Sequence, residues 1–589
     1  MKKAGPQPRL FDFKHGAGKL LPMNPQSNRD RLLNDLLKAA LLLSVTLIIY
    51  IPAMKAGFIW DDDSYLLNNR NLLSLNGLWN IWFSTQSPQY YPLVFTTFWI
   101  EQHIWGLAPA GYHIVNILLH FSNSLLLWAI LRKLNIRYGF LAGLLFAVHP
   151  VQVESVAWVT ERKNVLSAFF YFLSALSFLK YEEKGASRHY LASLALFIPA
   201  LLSKTVTCSL PVALLVVRWM RGGKINLKYL LSLAPFFAAG LAMGLVTIWW
   251  ELNIVGAKGN EWDLTHLERL LLPGRVAIFY IQKLIYPTEL AFIYPKWVVS
   301  TTDIIQWAYP IALLAVLAAL FFFRNKLGRG PLAAALFFLA TLFPALGFFN
   351  IYPFQYSFVA DHFQYLASAG IFAIAAGAAS MLVPSGALKR PVEAAGAAVL
   401  ILVLGSLTIA QTRVYKDLET LWTDTITKNP GAFMAHTNLG VLRYNEGNYE
   451  EAMVHFSDTL KLKPDAAAAH YNSALILYKQ GRAPEAAESF RRALDGDPGH
   501  ILALINYGKL LSDSGQNQEA IYRLKKAIEL APANEMAHNN IAIAYARSGD
   551  LDSAVKHLGV ALELKPDYDN ARKNLAAILS AQGRQSGQR

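Results

Sequence analysis

Three consecutive carboxylates follow the first long apolar stretch of the sequence. Residues 60 to 63 are Trp-Asp-Asp-Asp, so Asp61, Asp62 and Asp63 stand just beyond the apolar run that begins at Ala39. Carboxylates crowded beside a bilayer are costly unless they are solvated, bound to a metal or part of a site, and the crowding raises at least one pKa. A raised carboxyl pKa suits a general base. The alternative is a solvated cap on the helix that follows.

A second set of polar residues lies inside an apolar segment. His113, Asn116, His120 and Asn123 are separated by three, four and three positions. At about 100° per residue they form one narrow stripe on a helix. Polar groups in lipid face protein or a cavity, so the stripe is predicted to face inward. It either hydrogen-bonds neighbouring helices or lines a site, and the spacing alone favours hydrogen bonding between helices.

A third set carries charged and imidazole side chains at the ends of apolar segments. Its members are His149, Glu154, Arg162, Lys163, Lys204, Asp361 and His362. The cations among them are predicted to lie on the same membrane face as the aspartates, where basic residues are otherwise scarce. A lipid-linked phosphate would explain them, because Arg and Lys neutralise phosphate well. The alternative is snorkelling of long side chains to the interface.

Composition excludes a single soluble globule. Of the 589 residues, 54% are hydrophobic and 16% are charged. The net charge of +14 belongs entirely to residues 1–412, whereas residues 413–589 are neutral. This distribution indicates membrane orientation rather than nucleic-acid binding. The one cysteine, Cys208, excludes disulfides within the chain and cysteine-based metal sites.

Apolar runs of membrane length recur between Ala39 and about Ala410. Eleven spans are predicted, with an additional re-entrant or interfacial segment near 270–294, where prolines and basic residues interrupt the pattern. Basic clusters fall on alternate ends of the spans, which places the basic segment 1–38 in the cytoplasm. An odd number of spans places everything beyond the last of them on the extracytoplasmic side. Residues 39–412 are therefore predicted to form the membrane domain.

The sequence changes beyond residue 412 to an exact 34-residue repeat. Prolines at 430, 464, 498, 532 and 566 are equally spaced, and so are glycines at 447, 481, 515, 549 and 583. This is the tetratricopeptide (TPR) pattern, in which pairs of helices stack into a superhelix with a concave binding surface. Four full repeats are predicted near 433–566 with a partial repeat after them, in a domain over 413–589.

One position of the repeat is asparagine each time, at Asn438, Asn472, Asn506, Asn540 and Asn574. These five residues are called the asparagine ladder below. An amide offers both a donor and an acceptor, so such a ladder can bind the backbone of an extended peptide. The alternative is that asparagine fills a packing position. Binding of this kind would be largely independent of the peptide's side chains.

Taken together, these segments resemble the tetratricopeptide-repeat transmembrane O-mannosyltransferases and their bacterial relatives, glycosyltransferases of the GT-C fold. The matching stretches include GFIWDDDSYLLNN (57–69), LLFAVHPVQVESVAWVTERKNVLSA (144–168) and FVADHFQYLASAG (358–370). The resemblance implies that Asp61 and Asp62 match the family's acidic pair, one of which acts as catalytic base. It also implies a polyprenyl-phosphate sugar as donor and a Ser or Thr hydroxyl of a protein as acceptor. Thr205, His362 and Tyr91 depart from residues that many relatives carry.

The predicted protein is thus all-α, with a GT-C-type helical bundle in the membrane and an extracytoplasmic TPR α-solenoid. Its predicted function is inverting protein O-glycosylation, with no metal assigned although three adjacent carboxylates could hold a divalent ion. The sequence holds no Asn-x-Ser/Thr site, which favours a bacterial inner membrane with the site and the repeats in the periplasm. The alternatives are a non-catalytic TPR scaffold for envelope assembly and a GT-C transferase that acts on lipids or glycans.

Overall fold

The computed structural model describes residues 25–586 except 258, 260, 261, 263 and 384–388. Most of the predicted basic segment 1–38 therefore lies outside the described residues. Every regular element in the described ranges is a helix. The chain divides into two compact units, one extending to Asn429 and the other beginning at Pro430.

The first unit contains eighteen α-helices along its described part. They are α1 (Pro25–Ile49), α2 (Ile51–Met54), α3 (Leu75–Phe83), α4 (Pro92–Trp105), α5 (Pro109–Lys133), α6 (Gly139–Val148), α7 (Val153–Ala157), α8 (Arg162–Lys184), α9 (Ser187–Ser203), α10 (Leu210–Met220), α11 (Leu227–Trp250), α12 (His266–Ile285), α13 (Ile304–Phe322), α14 (Arg324–Leu327), α15 (Gly330–Leu342), α16 (Ser368–Leu382), α17 (Lys389–Val414) and α18 (Leu418–Lys428).

Six of these helical segments are long and apolar enough to cross a membrane. They lie at Arg29–Ile49, Pro109–Lys133, Val159–Lys184, Leu227–Val255, Ile304–Phe322 and Pro391–Val414. Helix α6 and the segment Pro150–Ala157 form a further apolar pair that is bent by 56°. Three shorter apolar helices lie at Thr205–Met220, Gly330–Ala345 and Ser368–Met381. The count of eleven spans stays a prediction.

Local sequence explains where several of these helices begin and end. Helix α5 begins at Pro109, whose missing N–H is no loss at a helix start, and its last turn carries Arg132 and Lys133, which favour the negative end of the helix dipole. Helix α12, which overlaps the segment 270–294 predicted to be re-entrant, begins with a capping box between Thr265 and Glu268. The bend after α6 coincides with Pro150, which disfavours helical backbone at the preceding residue.

The second unit stacks helices in antiparallel pairs with a final single helix. They are α19 (Phe433–Asn445), α20 (Tyr449–Leu462), α21 (Ala467–Lys479), α22 (Ala483–Gly496), α23 (Ile501–Asp513), α24 (Asn517–Leu530), α25 (Glu535–Ser548), α26 (Leu551–Leu564) and α27 (Asp569–Ser586). Gly447, Gly481, Gly515 and Gly549 follow the first helix of each pair with φ between 77° and 91°, a conformation that glycine adopts without strain. The predicted TPR architecture is confirmed.

The helix that precedes the repeats packs within the first unit. Trp422 of α18 lies 5.1 Å from Trp60 and 5.6 Å from Phe292, measured between ring centroids. Lys428 Nζ donates a hydrogen bond to the Leu290 carbonyl at 2.7 Å. The predicted repeat domain begins at 413, whereas the compact unit with the repeats begins at Pro430, because these contacts attach α18 to the membrane part.

We predict that the substitution Gly274→Ala destabilises the first unit. A methyl group on Gly274 of α12 would lie 2.3 Å from the backbone nitrogen of Pro310 in α13, so the two helices would have to separate. Overpacking of this kind costs about 1–3 kcal/mol. The measurement is the thermal unfolding midpoint of the purified protein in detergent, which should fall.

Gly244→Ala provides the matched control. Gly244 lies in α11, and a methyl group there would meet no heavy atom within 4 Å. Its unfolding midpoint should stay at or above that of the parent protein, because alanine restricts the unfolded chain. Equal midpoints for both variants would contradict the close approach of α12 and α13.

Candidate active site

Asp62 joins the first loop to the start of α8. Its side chain is fully buried, and its two carboxylate oxygens accept hydrogen bonds from the backbone N–H of Ile59 at 2.8 Å and of Thr160 at 3.0 Å. Burial raises the pKa of Asp62 to about 8, although both backbone donors act to lower it. Because both oxygens are engaged by backbone, Asp62 holds two segments together.

Asp61 differs from Asp62 in its surroundings. It is half-buried, and charged side chains from other parts of the chain surround it. Burial raises the pKa of the Asp61 carboxyl. Lys163 and His362 oppose this rise, and Glu161 adds to it. Asp63, the third carboxylate, is exposed. Of the three aspartates, Asp61 therefore combines a raised pKa with access from the surface.

Lys163 and Glu161 lie near Asp61, and Lys204 joins them through Glu161. Lys163 Nζ is 2.8 Å from one carboxylate oxygen of Glu161, and Lys204 Nζ is 3.5 Å from the other. Lys204 also donates a hydrogen bond to Asn164 Oδ1 at 2.7 Å, and burial lowers its pKa to about 8. Glu161 is fully buried, so it is the counter-ion that allows both lysines to stay in this place.

His362 is held by the carboxylate of Glu154. The His362 Nδ1 and a Glu154 oxygen are 2.9 Å apart, and the His362 backbone N–H donates to the other Glu154 oxygen at 3.1 Å. Asp361 accepts a hydrogen bond from the Tyr294 hydroxyl at 3.0 Å. Burial, and next the charge of Glu154, raise the pKa of Asp361. Glu154 thus holds His362 in place, whereas Asp361 contacts Tyr294.

These contacts gather a charged cluster, which consists of Asp61, Glu161, Lys163, Lys204 and His362. Asn164 connects two of its members, since its amide donates to the His362 carbonyl at 3.0 Å while its oxygen accepts from Lys204. The structure therefore brings together five polar side chains from four segments that are distant in sequence. Two lysines and an imidazole beside one accessible carboxylate can bind an anion and accept a proton.

Arg162 and His149, by contrast, form contacts that do not belong to the charged cluster. The Arg162 guanidinium is fully buried; it pairs with Glu101 at 2.8 Å and donates to Asn116 and to the Tyr112 carbonyl. His149 Nδ1 accepts a hydrogen bond from the backbone of Val151, and its other ring nitrogen donates to the Leu284 carbonyl at 3.0 Å. Both side chains hold backbone segments and carboxylates of the protein itself.

The polar stripe of α5 faces protein rather than an open space. The Asn116 amide donates to the carbonyls of Val156 and Trp158 at 3.3 Å, and its oxygen accepts from Arg162. His120 contacts the Tyr365 hydroxyl at 2.8 Å and the Ala147 carbonyl at 3.2 Å. The stripe therefore bonds α5 to the segments around it.

The other two members of the stripe behave in the same way. His113 Nε2 lies 3.4 Å from the Gly57 carbonyl, in the loop just before the aspartates. The Asn123 amide donates to the Val165 carbonyl at 2.8 Å and to the Tyr365 hydroxyl at 3.1 Å. His113 thus contacts the loop that carries Asp61, and Asn123 bonds α5 to α8.

The asparagine ladder lies on the first helix of each pair in the second unit. Its members Asn438, Asn472, Asn506, Asn540 and Asn574 are all half-buried. The amides of Asn438, Asn472 and Asn506 donate to the carbonyl four residues earlier in their own helices, at 2.8 to 3.0 Å. This local bond fixes the side-chain rotamer and turns the carbonyl oxygen away from the helix backbone.

Both parts of the chain match known protein families. Residues 88–250 match the family described as Dolichyl-phosphate-mannose-protein mannosyltransferase. Residues 437–501 and 508–549 match tetratricopeptide repeat families. The first match includes Arg162, Lys163 and Lys204 but not the aspartates of the first loop.

Curated relatives of this chain are named as protein O-mannosyl-transferases. Protein O-mannosyl-transferase TMTC4 of Homo sapiens is 34% identical over 163 residues, which is 23% of this chain and 22% of that protein. Protein O-mannosyl-transferase F38B6.6 of Caenorhabditis elegans is 22% identical over 348 residues, 56% of this chain and 49% of that protein. The chain is similar to the TPR-containing O-mannosyltransferases. The predicted resemblance is confirmed, although the first relatives are matched over less than a quarter of their length.

Solved structures match the repeats. The crystal structure of YrrB, described as a TPR protein with an unusual peptide-binding site, shares 20% sequence identity with a TM-score of 0.24 and covers 30% of this chain and 88% of that chain. The Pseudomonas aeruginosa pilF structure shares 25% identity with a TM-score of 0.24, over 26% of this chain and 69% of that chain. The apolar helices, together with the mannosyltransferase match, support an integral membrane protein.

Three residues around this site were not predicted from the sequence. Glu161 stands next to Arg162 and Lys163 in the sequence, but its burial between two lysines depends on Lys204, which is 43 residues away. Asn164 and Glu101 were missed because their partners are also distant. A buried Glu in a basic, apolar stretch is a signal that such a residue is paired.

The residues that the structure describes contain no group of side chains suited to bind a metal ion. No group of three His, Cys, Asp or Glu side chains lies close enough there to hold an ion. The three adjacent aspartates differ in their surroundings, since Asp62 is buried, Asp63 is exposed and Asp61 lies near Lys163.

We predict that Asp62→Asn destabilises the protein while Asp63→Asn does not. An amide at position 62 places an NH₂ group against one of two backbone N–H donors, and an unsatisfied buried donor costs about 1–3 kcal/mol. The thermal unfolding midpoint in detergent should fall for Asp62→Asn and hardly change for the exposed neighbour. A midpoint for Asp62→Asn equal to that of the parent would show that the two backbone contacts contribute nothing.

Proposed function

We propose that this protein is a membrane glycosyltransferase that moves a sugar from a polyprenyl-phosphate donor to Ser or Thr hydroxyls of a protein. The observation that carries the proposal is the charged cluster, in which a half-buried carboxylate with a raised pKa lies near Lys163 and His362, and Lys204 joins through Glu161. The similarity to protein O-mannosyl-transferases supports the reaction class.

Asp61 is the base in this proposal. Its carboxylate takes the proton of the acceptor hydroxyl while the hydroxyl oxygen attacks the anomeric carbon and the bond from that carbon to the phosphate oxygen breaks. Direct displacement inverts the configuration of the sugar. Asp62 is assigned to positioning, because both of its oxygens are used by backbone donors. General base catalysis of this type contributes roughly 10² to 10⁴ in rate.

Lys163, Lys204 and His362 neutralise the phosphate that leaves. Cations already in place where negative charge develops need no reorganisation during the reaction, which makes them effective in a buried site. Glu161 balances the two lysines, so the cluster is stable without donor. Arg162 and His149 are not assigned to phosphate binding, because their hydrogen-bond donors already contact protein atoms.

The asparagine ladder holds the acceptor polypeptide in this proposal. The carbonyl oxygens of its half-buried amides can accept hydrogen bonds from the backbone of an extended peptide. Tethering the acceptor to the enzyme raises its effective concentration.

We also propose that the protein lies in a bacterial inner membrane, with the N-terminus in the cytoplasm and the site and repeats in the periplasm.

We predict that Asp61→Asn abolishes transfer. Without the carboxylate the acceptor hydroxyl keeps its proton, and the rate should fall by roughly 10² to 10⁴. The measurement is transfer of radiolabelled mannose from synthetic polyprenyl-phosphate mannose to bacterial envelope proteins by the purified protein in detergent.

Asp63→Asn is the control for this measurement, because Asp63 is the exposed neighbour in the same run of carboxylates. It should retain the activity of the parent protein. Full activity of Asp61→Asn would disprove the base assignment. The absence of any transfer by the parent protein would instead contradict mannose as the sugar of the polyprenyl-phosphate donor.

The asparagine ladder gives a separate prediction about binding. Replacing Asn472, Asn506 and Asn540 together by Ala removes three amides, and each neutral hydrogen bond contributes about 0.5–1.5 kcal/mol. Affinity of the full-length protein for an extended, Ser- and Thr-rich peptide should therefore fall by roughly tenfold or more, as measured by fluorescence anisotropy of the labelled peptide.

Glu529→Ala and Glu563→Ala provide the control pair, because both residues are exposed on second helices of the repeats, α24 and α26. These changes should leave peptide affinity within a small factor of the parent value. A triple asparagine variant that binds as well as the control pair would remove the ladder from the proposal.

A further inference from the structure

The first helices of the repeats carry a row of charged residues beside the asparagine ladder. Lys479, Asp513 and Arg547 each stand seven positions after a ladder asparagine, and Lys509 stands three positions after Asn506. Residues three and seven positions apart lie on the same face of an α-helix. The charged row therefore shares the helix face of the ladder and lies one to two turns further along each helix.

Hydrogen bonds connect this row from one first helix to the next. Asp513 of α23 accepts hydrogen bonds from Arg547 of α25, at 2.8 Å, and from the Tyr478 hydroxyl of α21. Lys509 Nζ donates to the Tyr478 hydroxyl at 2.7 Å and to Asp513 at 3.2 Å. Because these bonds join three successive first helices, the four side chains form one continuous surface.

Lys479 extends this surface toward the first pair of repeat helices. Its Nζ donates a hydrogen bond to the Tyr449 hydroxyl at 3.0 Å, and it lies 4.8 and 5.0 Å from the ring centroids of Tyr444 and Tyr449. The Lys479 side chain is exposed. Within the residues that the structure describes, it forms no ion pair with a carboxylate. The aromatic rings hold the ammonium group in place and leave its positive charge available.

The surface formed in this way is called the cationic patch below, and it consists of Lys479, Lys509, Asp513, Arg547, Tyr444, Tyr449 and Tyr478. Three positive side chains and one negative side chain leave it a net charge of +2. Residues 413–589 as a whole are neutral, so this excess is local. Fixed cations together with phenol hydroxyls are complementary to carboxylate groups.

We propose that the cationic patch binds acidic side chains of the polypeptide whose backbone the asparagine ladder holds, so that the protein favours acceptor segments in which Asp or Glu accompanies Ser or Thr. The patch lies about 4.5 to 10 Å along the helices from the ladder, a distance that the side chains of a bound extended segment can reach. The ladder contributes binding without selectivity, and the patch contributes the selectivity. That this polypeptide is the acceptor rests on the proposed function.

Two labelled peptides that differ only in charge test the proposal. Both are Ser- and Thr-rich with an amidated C-terminus, and one carries Glu where the other carries Gln. Fluorescence anisotropy measures their binding to the full-length protein in detergent, without sugar donor. We expect the Glu peptide to bind roughly tenfold more tightly at low salt, because exposed ion pairs each contribute a factor of about 1.4 to 5. Equal affinities at low salt would overturn the proposal.

Salt provides a second measurement on the same two peptides. The screening length falls to about 3 Å in about 1 M salt, so the advantage of the Glu peptide should disappear there while the Gln peptide binds as before. An advantage that persists at high salt would show that the preference is not electrostatic and would overturn the assignment to the cations.

The double variant Lys479→Gln, Arg547→Gln removes two exposed cations of the patch. It should abolish the preference for the Glu peptide and leave affinity for the Gln peptide unchanged. Lys525→Gln with Lys556→Gln is the matched control, because it removes the same charge from exposed positions of the second helices α24 and α26. The control should keep the preference, and an equal loss in both double variants would overturn the proposal.

Asp513→Asn is predicted to have the opposite effect. It removes the one carboxylate of the patch, so the Glu peptide should bind about two- to fivefold more tightly and the Gln peptide should not. Weaker binding of the Glu peptide by this variant would contradict a role of the patch as a receptor for negative charge.

An anionic membrane surface is the other source of negative charge for these cations. The protein in phosphatidylcholine nanodiscs is mixed with phosphatidylglycerol vesicles, and we expect no capture that depends on Lys479 and Arg547. Such capture without a preference for the Glu peptide would overturn the proposal. Charge-selective binding without sugar transfer would contradict the proposed function alone, whereas transfer to both peptides at equal rates and affinities would contradict this inference alone.

Discussion

The hydrogen bonds of Asp62 are the constraint on which the arrangement around the charged cluster depends. One carboxylate accepts from the backbone of Ile59, before the aspartates, and from the backbone of Thr160, before α8. The first bond closes the loop on itself, and the second ties it to a segment 98 residues later. Because Glu161 and Lys163 directly follow Thr160, this tie determines which charges Asp61 meets.

The buried charged side chains around the cluster are stabilised because each of them has a partner of opposite charge. Glu161 faces two lysines, Arg162 faces Glu101, and His362 faces Glu154. Removing one partner of a buried pair costs about 3–5 kcal/mol, so these pairs exclude alternative arrangements more than they add stability. The pairs differ in what they leave available. Arg162 is saturated by protein acceptors, whereas Lys163 and Lys204 share a single carboxylate and can accept a second anion.

The fold was more predictable from the sequence than the site. The repeats follow from strict periodicity, and glycine at a positive φ after each first helix explains why the period survives at those positions. The stripe of α5 was predictable as inward-facing, since lipid penalises polar groups. Its partners were not, because Tyr365 and Arg162 lie on other helices. The role of Arg162 likewise depends on packing between distant segments, which local sequence patterns do not encode.

Asparagine side chains have two different roles in this chain, and the hydrogen bonds of each asparagine determine its role. Asn116 is fully buried, its amide faces carbonyls of another segment and its oxygen accepts from Arg162, so no capacity is left for a ligand. Asn472 is half-buried and donates only to its own helix. Within the part of the chain that the structure describes, its oxygen accepts no hydrogen bond. Spacing alone makes Asn116 and Asn472 look alike, and their burial and hydrogen-bond partners separate an asparagine that stabilises the fold from one that is able to bind.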